Sequence, residues 1–249
     1  MKWRLIINKQ PKTAFENMGI DAALQESCTT PVLRLYTWRP SAVSIGRFQS
    51  LRDEVDEQKC KQNTVDIVRR ITGGGAVFHD TEVTYSICIP EKNSYFSADL
   101  HESYRVICGA VMAGLKHFGL QPAYVPINDI IVGGKKISGC AQTRKNGIIL
   151  QHGTLLVDVD VDKMFSLLKV PDEKIRDKMI ANVKERVTSL HQQLGRTVLA
   201  AEVMTNLIQG FREFFAIEIE ESQLTKEEQQ RASTIKKEVF ESKEWSYQR

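Results

Sequence analysis

With 249 residues, 42% of them hydrophobic and 26% charged, the chain has an ordinary globular composition and can bury a large core. Its formal net charge of +3 is too small for a nucleic-acid-binding signature. The apolar runs are too short for a membrane span or a secretory signal. We therefore expect a soluble, cytoplasmic protein with no nucleic-acid or membrane partner.

Strands dominate the first sixty percent of the predicted structure. Period-two alternation and β-branched or aromatic side chains predict strands at residues 32–38, 42–45, 65–70 and 84–89. A spacing of three or four predicts a helix through Tyr104, Ile107, Val111, Leu115 and Phe118.

The second half of the chain turns from strands to helices. Gly133-Gly134 predicts a two-residue hairpin with positive φ at both glycines, and a strand follows at 147–160 with a break near His152. The pattern is helical from Val161, with a surface helix at 224–241. Without a linker, the chain reads as one α+β domain over 1–249 whose C-terminal portion, from about 200, is helical.

The most informative stretch is 69–80, which contains three consecutive glycines after Arg69 and Arg70. Glycines let backbone N–H groups approach an anion, and arginines match phosphate or carboxylate oxygens. The spacing fits neither a Walker A loop nor a dinucleotide fingerprint. The alternative is a glycine-rich turn with solvated arginines.

The predicted hairpin places a lysine beside a carboxylate. A turn at Gly133-Gly134 would pair Asp129 with Ser138 and put both on the same side as Lys136. Such a pair can coordinate a nucleotide, the lysine through phosphate and the carboxylate through a metal ion. The alternative is an exposed edge hairpin with an ordinary ion pair.

Cysteine and histidine residues give weaker signals. The five cysteines form no CxxC pair, which favours a reducing compartment over a disulfide framework or a zinc site. Cys140 would be a nucleophile if a basic residue lowered its pKa, but a buried structural thiol is the favoured interpretation. His152 is more typical of a structural histidine, and His79 is equally ambiguous.

Four motifs in order resemble the lipoate–protein ligase A family, namely residues 69–80, 128–129, 136–139 and 152–155. Residues 17–21 and 37–46 also fit, so the resemblance runs from about residue 12 to residue 249. It implies an α+β catalytic domain of the biotin/lipoate ligase type, with a mixed, largely antiparallel sheet flanked by helices. A biotin ligase fits less well, because its GRGRxGRxW-type loop is absent.

The resemblance implies an ATP-dependent lipoate–protein ligase that makes lipoyl-AMP with Mg²⁺ and transfers the lipoyl group to a lysine of a carrier domain. Lys136 would be catalytic, and Asp129 would bind the metal ion. The residues implied to bind ATP or lipoyl-AMP are Arg70, Gly73, Gly74, Gly75, Ala76, Val77, Phe78, Asn128, Asp129 and Lys136. Weaker expectations for the lipoate pocket are Trp38, His79 and His152.

The implied partners are lipoyl domains of 2-oxoacid dehydrogenase complexes or the glycine cleavage H protein, onto whose acidic surfaces exposed Lys and Arg would dock. Fuller ligases carry a separate C-terminal accessory domain, which we do not expect within residues 1–249; either it is a separate subunit or adenylation does not need one here. The alternative function is an ATP-independent octanoyl or lipoyl transferase that uses a cysteine thioester. Residues 121–126 and 153–175, where such transferases carry that cysteine, contain none, which favours the ligase. A non-catalytic lipoate-binding subunit is a third hypothesis.

Overall fold

The computed structural model describes residues 2–92, 99–170 and 172–249. The strands are β1 Lys2–Ile7, β2 Val32–Tyr36, β3 Ala42–Ile45, β4 Asp66–Arg69, β5 Val77–His79, β6 Glu82–Pro90, β7 Pro122–Val125, β8 Asp129–Val132, β9 Lys135–Lys145, β10 Ile148–Leu156 and β11 Glu218–Glu221. The helices are α1 Ala14–Ser27, α2 Leu51–Glu54, α3 Glu57–Gln62, α4 Leu100–Lys116, α5 Val161–Leu167, α6 Glu173–Arg186, α7 Leu190–Leu194, α8 Ala200–Phe215, α9 Lys226–Ile235 and α10 Lys243–Ser246.

Two sheets form the scaffold. The larger has eight strands in the order β11-β1-β2-β6-β10-β9-β8-β7, and the smaller has three in the order β4-β3-β5. In the larger sheet β11, β1 and β2 run parallel, and every other neighbouring pair is antiparallel. The predicted α+β fold with a mixed, largely antiparallel sheet flanked by helices is confirmed.

Helices cover both faces of the larger sheet. Because side chains alternate along a strand, Leu33 of β2 packs into the core with α4 and α8, whereas Val32 packs into the core with α1 and α9. Helix α1 begins at a capping box formed by Thr13 and Glu16. Ten of its fourteen residues are buried, so it lies beneath the surface and carries polar side chains into the interior.

Most of the predicted elements are confirmed, and three details of this part of the prediction were wrong. Strand β10 runs from Ile148 to Leu156 without the predicted break at His152, because its ladders to β6 and β9 continue through that residue. The helix predicted at 224–241 is α9 followed by a π-helical turn at Lys236–Phe240. The expected helical C-terminal portion also contains strand β11.

The predicted hairpin is present, with a different register. Gly133 and Gly134 have φ of 57° and 78°, as expected for this turn. A bulge on β9 leaves Ile137 unpaired, so Asp129 pairs with Gly139 and not with Ser138. No helix among the described residues is long and apolar enough to cross a membrane.

Candidate active site

A cavity of about 470 Å³ lies between the two sheets. Ser44 and His79 line it from the smaller sheet, Lys136 and His152 line it from the larger sheet, and Val183 of α6 lines it from the side. Its volume falls within the range of roughly 300–1,000 Å³ that is typical of small-molecule sites.

Lys136 and Asp129 form an ion pair at the cavity. The distance from Lys136 Nζ to Asp129 Oδ1 is 2.6 Å, and the side chains are 42% and 31% exposed. A Cβ on Gly139 would lie 2.8 Å from Lys136 Nζ, so this position makes room for the lysine. Because an ion pair this exposed adds little stability, its main effect is to position the ammonium group. The predicted meeting of these two residues is confirmed.

The glycine-rich segment is held by Arg70, which is buried. Its Nη1 donates to Ser44 O, and its Nη2 donates to Gly73 O at 2.7 Å and to Gly75 O at 2.8 Å. Burial lowers the pKa of Arg70 to about 10. The guanidinium therefore shapes the segment from inside instead of standing open to an anion.

Gly46 allows the closest contact with this segment. A Cβ at Gly46 would lie only 2.0 Å from the carbonyl oxygen of Gly74, whose φ is +93°. The segment can therefore pack against β3 only while residue 46 lacks a side chain.

Arg69 is also used internally. Its guanidinium donates to the carbonyls of Gly46, Arg47 and Gln49. It reaches Trp245 O at 3.0 Å and Ser246 O at 2.8 Å, which connects α10 to the turn after β3. The alternative interpretation was a glycine-rich turn with solvated arginines, and neither Arg69 nor Arg70 is solvated in this way.

A buried polar network lies behind His152. Asp21 Oδ1 accepts a hydrogen bond from Arg34 Nη1 at 2.6 Å. Asp21 Oδ2 accepts from the Tyr36 hydroxyl and lies 3.2 Å from His152 Nδ1. His152 Nε2 lies 2.7 Å from Thr72 Oγ1. Burial would raise the pKa of Asp21, but Arg34 and His152 outweigh it and lower the pKa. Burial lowers the pKa of His152, so its imidazole is neutral near pH 7.

A second network surrounds His79. The Trp38 ring stacks on the His79 ring with centroids 4.0 Å apart. His79 Nε2 lies 2.7 Å from Ser44 Oγ, and Nδ1 lies 2.8 Å from Glu82 Oε1. The sequence motifs included Trp38 and His79 but gave no role to Glu82, which lies on a different sheet from Ser44.

The cysteines are free and buried. Cys140 lines the cavity, and the other four do not. Its thiol donates to Asn128 O at 3.3 Å and lies 3.7 Å from Cys108 Sγ. Burial raises the pKa of Cys140 well above its usual value, which disfavours the thiolate.

The cavity contains most of the predicted site residues. Those that line it are Arg70, Gly74, Gly75, Ala76, Val77, Phe78, Asn128, Lys136, Trp38, His79 and His152. Gly73 and Asp129 are not in its lining. Contact of the lining residues with a ligand stays a prediction.

The predicted magnesium site at Asp129 does not fit these residues. Its carboxylate is paired with Lys136, and the described residues contain no group of three or more His, Cys, Asp or Glu side chains that could hold a metal ion. Because the ammonium group of Lys136 already neutralises this carboxylate, Asp129 is a poor ligand for Mg²⁺.

A comparison with known protein families shows which family the chain belongs to. The sequence model described as the lipoyl protein ligase A/B catalytic domain matches residues 13–212. The chain belongs to this family. The predicted resemblance is confirmed.

Two family members that are similar along nearly their whole length are named as transferases. The chain is 34% identical over 263 residues to "Octanoyltransferase LipM" of Clostridioides difficile strain 630, covering 96% of this chain and 95% of that protein. It is 32% identical to the protein of the same name from Bacillus subtilis strain 168, covering 99% and 98%.

These relatives correct the predicted reaction. The ATP-dependent ligase, with ATP and Mg²⁺ as cofactors, was wrong, and the octanoyl or lipoyl transferase stated as the alternative agrees better with the relatives.

A solved structure from Thermoplasma acidophilum has the same fold. It is described as a bi-partite lipoate protein ligase and its E2 lipoyl domain, and it matches with a TM-score of 0.91 and 32% identity, covering 99% of this chain and 96% of that chain. The backbone is therefore arranged as in this solved structure, in agreement with the family assignment.

Proposed function

We propose that the chain is an acyltransferase that moves an octanoyl or lipoyl group from a thioester donor to a lysine of a lipoyl carrier domain. The observation that carries the proposal is the Lys136 ammonium group, fixed by Asp129 at 2.6 Å on the wall of a cavity of about 470 Å³. A positive charge at this place stabilises the negative charge that develops on an acyl oxygen during transfer.

The cavity lining suits a medium-length acyl chain. Met18, Leu156, Met164 and Val183 supply apolar contacts, and Lys136 supplies a positive charge at the wall. Apolar linings with a few placed polar groups are typical of small-molecule sites. In the transfer, the acceptor amine forms a bond to the acyl carbon, the carbon–sulfur bond breaks, and a proton passes from the amine to the departing thiolate.

A thioester donor is already activated, so adenylation is not needed. This removes the reason to look for the separate accessory subunit, which the ligase interpretation had left as one of two alternatives. The similar structure from T. acidophilum is described together with its E2 lipoyl domain, which supports a lipoyl domain as the acceptor. The lipoyl domains of 2-oxoacid dehydrogenase complexes and the glycine cleavage H protein are the acceptors to test.

The test uses intact-mass measurement of an apo lipoyl domain incubated with the protein and octanoyl-acyl carrier protein. We expect a gain of one octanoyl amide without ATP. Lys136→Ala should slow transfer by about 10²–10³-fold, because one charge-stabilising donor is lost. Lys135→Ala, at the adjacent position, should remain within about twofold. Transfer from free octanoate with ATP but not from the thioester would refute the proposal.

A further inference from the structure

One wall of the cavity carries carboxylates. Asp80, Asp158 and Asp160 line the cavity, and the last two are exposed, so they lie at its rim. Glu82 also lines the cavity but is only 3% exposed, and it pairs with Leu156, two residues before Asp158. Carboxylates at a surface are common, so the buried Glu82 is the informative member of this group.

Glu82 uses only one of its two carboxylate oxygens. Its Oε1 accepts a hydrogen bond from Thr84 Oγ1 at 2.7 Å and lies 2.8 Å from His79 Nδ1. Its Oε2 is buried and has no hydrogen-bond partner among the described residues. Because a buried oxygen without a partner is costly, Oε2 indicates a donor that arrives with a ligand.

The histidine beside Glu82 does not neutralise its charge. Arg70 Nη1 donates to Ser44 Oγ at 3.1 Å, so the Ser44 hydroxyl directs its own proton to His79 Nε2, 2.7 Å away. Nε2 therefore accepts, and His79 carries its single proton on Nδ1, which donates to Glu82 Oε1. A buried carboxylate whose charge is not compensated favours a cationic ligand.

Glu82 and Lys136 lie on opposite sides of the place where the acyl group would react. Strand β10, with Leu156, lies between β6, which carries Glu82, and β9, which carries Lys136. All three side chains line the cavity. Because neighbouring strands are about 4.8 Å apart, the backbones at Glu82 and Lys136 are separated by about 10 Å. With Lys136 at the acyl oxygen, the side of Glu82 is left for the attacking amine.

We propose that Glu82 is the base that receives the acceptor lysine: its Oε2 binds the ammonium group and takes one proton from it. This inference depends on the proposed transferase function and concerns only the acceptor step. The amine nitrogen forms a bond to the acyl carbon, the carbon–sulfur bond breaks, and a second proton of the nitrogen passes to the departing thiolate. Glu82 releases its proton to water when the product leaves.

Burial makes the first proton transfer easier. In water a carboxylate is a much weaker base than an amine. Removal of water disfavours the charged form of each group, so a carboxylate and an ammonium ion in a closed cavity exchange a proton at a lower cost than in water. The exposed Asp158 and Asp160 would attract the cation before it reaches Glu82.

The test compares two acceptors for octanoyl-acyl carrier protein. An apo lipoyl domain offers a lysine, which is a cation at pH 7, whereas hydroxylamine is uncharged there and needs no base. Glu82→Gln keeps an oxygen for His79 and replaces Oε2 by an amide group that takes no proton. We expect transfer to the lipoyl domain to slow by at least about 10²-fold, and enzyme-dependent formation of octanoyl hydroxamate to change by less than about threefold.

The pH dependence supplies a readout that a structural role of Glu82 would not change. In the wild-type protein the proton moves within the complex, so kcat/KM for the lipoyl domain should vary by less than about twofold between pH 7 and 8.5. In Glu82→Gln only the free amine reacts, and its fraction rises about tenfold per pH unit below the pKa of lysine. The rate of this variant should rise in the same proportion.

Further variants test the rim and control for the loss of charge. Asp158→Asn/Asp160→Asn should raise the KM for the lipoyl domain about threefold at low salt and leave hydroxamate formation unchanged. Glu91→Gln, just after the other end of β6, is the matched control for Glu82→Gln. Asp162→Asn, outside the cavity lining, is the matched control for the rim. Both controls should behave as the wild-type protein does.

The outcomes separate this inference from the proposed function. Absence of transfer from the thioester donor to either acceptor by the wild-type protein refutes the transferase function itself. Equal losses for the two acceptors in Glu82→Gln, or no loss for the lipoyl domain, overturn the role of Glu82 alone. A wild-type rate that rises about tenfold per pH unit also overturns it. That measurement decides the matter even if Glu82→Gln does not fold.

Discussion

The buried ion pair between Asp21 and Arg34 allows a quantitative prediction for Asp21→Asn. The side chains are 1% and 0% exposed and 2.6 Å apart. Removing one partner of a buried pair costs about 3–5 kcal/mol, because the other charge is left uncompensated in the interior. We expect about 3 kcal/mol, the lower end, because Arg34 still donates to side-chain oxygens of Asn8 and Asn17.

Urea unfolding measures this loss. With a denaturant slope of about 3 kcal/mol/M, the midpoint should fall by about 1 M at unchanged slope. Glu26→Gln is the matched control, because Glu26 lies on the same helix and pairs with Arg231 at 2.6 Å, where the two side chains are 32% and 50% exposed. It should cost at most about 1 kcal/mol. Equal losses in the two variants would refute the argument that burial sets the difference.

Three further predictions concern the glycine-rich segment, His152 and helix α6. Gly46→Ala should lower the free energy of unfolding by about 1–3 kcal/mol, since its Cβ would collide with Gly74 O; an unchanged urea midpoint would contradict this. The pKa of His152 is lowered in the folded protein by burial against the opposing effect of Asp21, so the unfolded chain binds the proton more tightly and stability falls as pH drops below about 6.5. His152→Asn should flatten that fall between pH 7 and 5.5 in urea titrations, and an unaltered slope would exclude the assignment. Helix α6 has five basic and three acidic residues, so Lys174→Glu/Lys178→Glu should raise the KM for the carrier domain about tenfold at low salt. Lys226→Glu/Lys237→Glu, on the α9 side, should not, and equal effects would argue against steering by α6.

The sequence predicted elements whose side chains alternate between two environments. Strands β2 and β6 and helix α4 have such periodicity, and their bounds agree with the prediction to within a few residues. Helix α1 was not predicted, because it is buried nearly all round and places Asn17 and Asp21 in the interior. A helix without a polar face loses the amphipathic pattern on which such predictions depend.

The contacts of the candidate site were likewise predictable only where they are local in the sequence. Lys136 and Asp129 lie on one hairpin, so local pairing was enough to bring them together despite the bulge. Ser44 meets His79 only because β3 and β5 pair in one sheet, whereas Glu82 lies three residues after His79 in the sequence. The reaction was predicted wrongly because the choice of a ligase rested on the absence of cysteine from residues 121–126 and 153–175, which does not exclude a transferase.

The contacts of Arg69 with Trp245 and Ser246 bear on how the protein is made. This arginine anchors the turn beside the cavity, yet its carbonyl partners lie 176 and 177 positions later in the sequence. The turn at Gly46 therefore gains its full set of hydrogen bonds only after residue 246 has left the ribosome. A nascent chain can assemble both sheets before this turn is tied to helix α10, so the C-terminal helix is the last element to stabilise it.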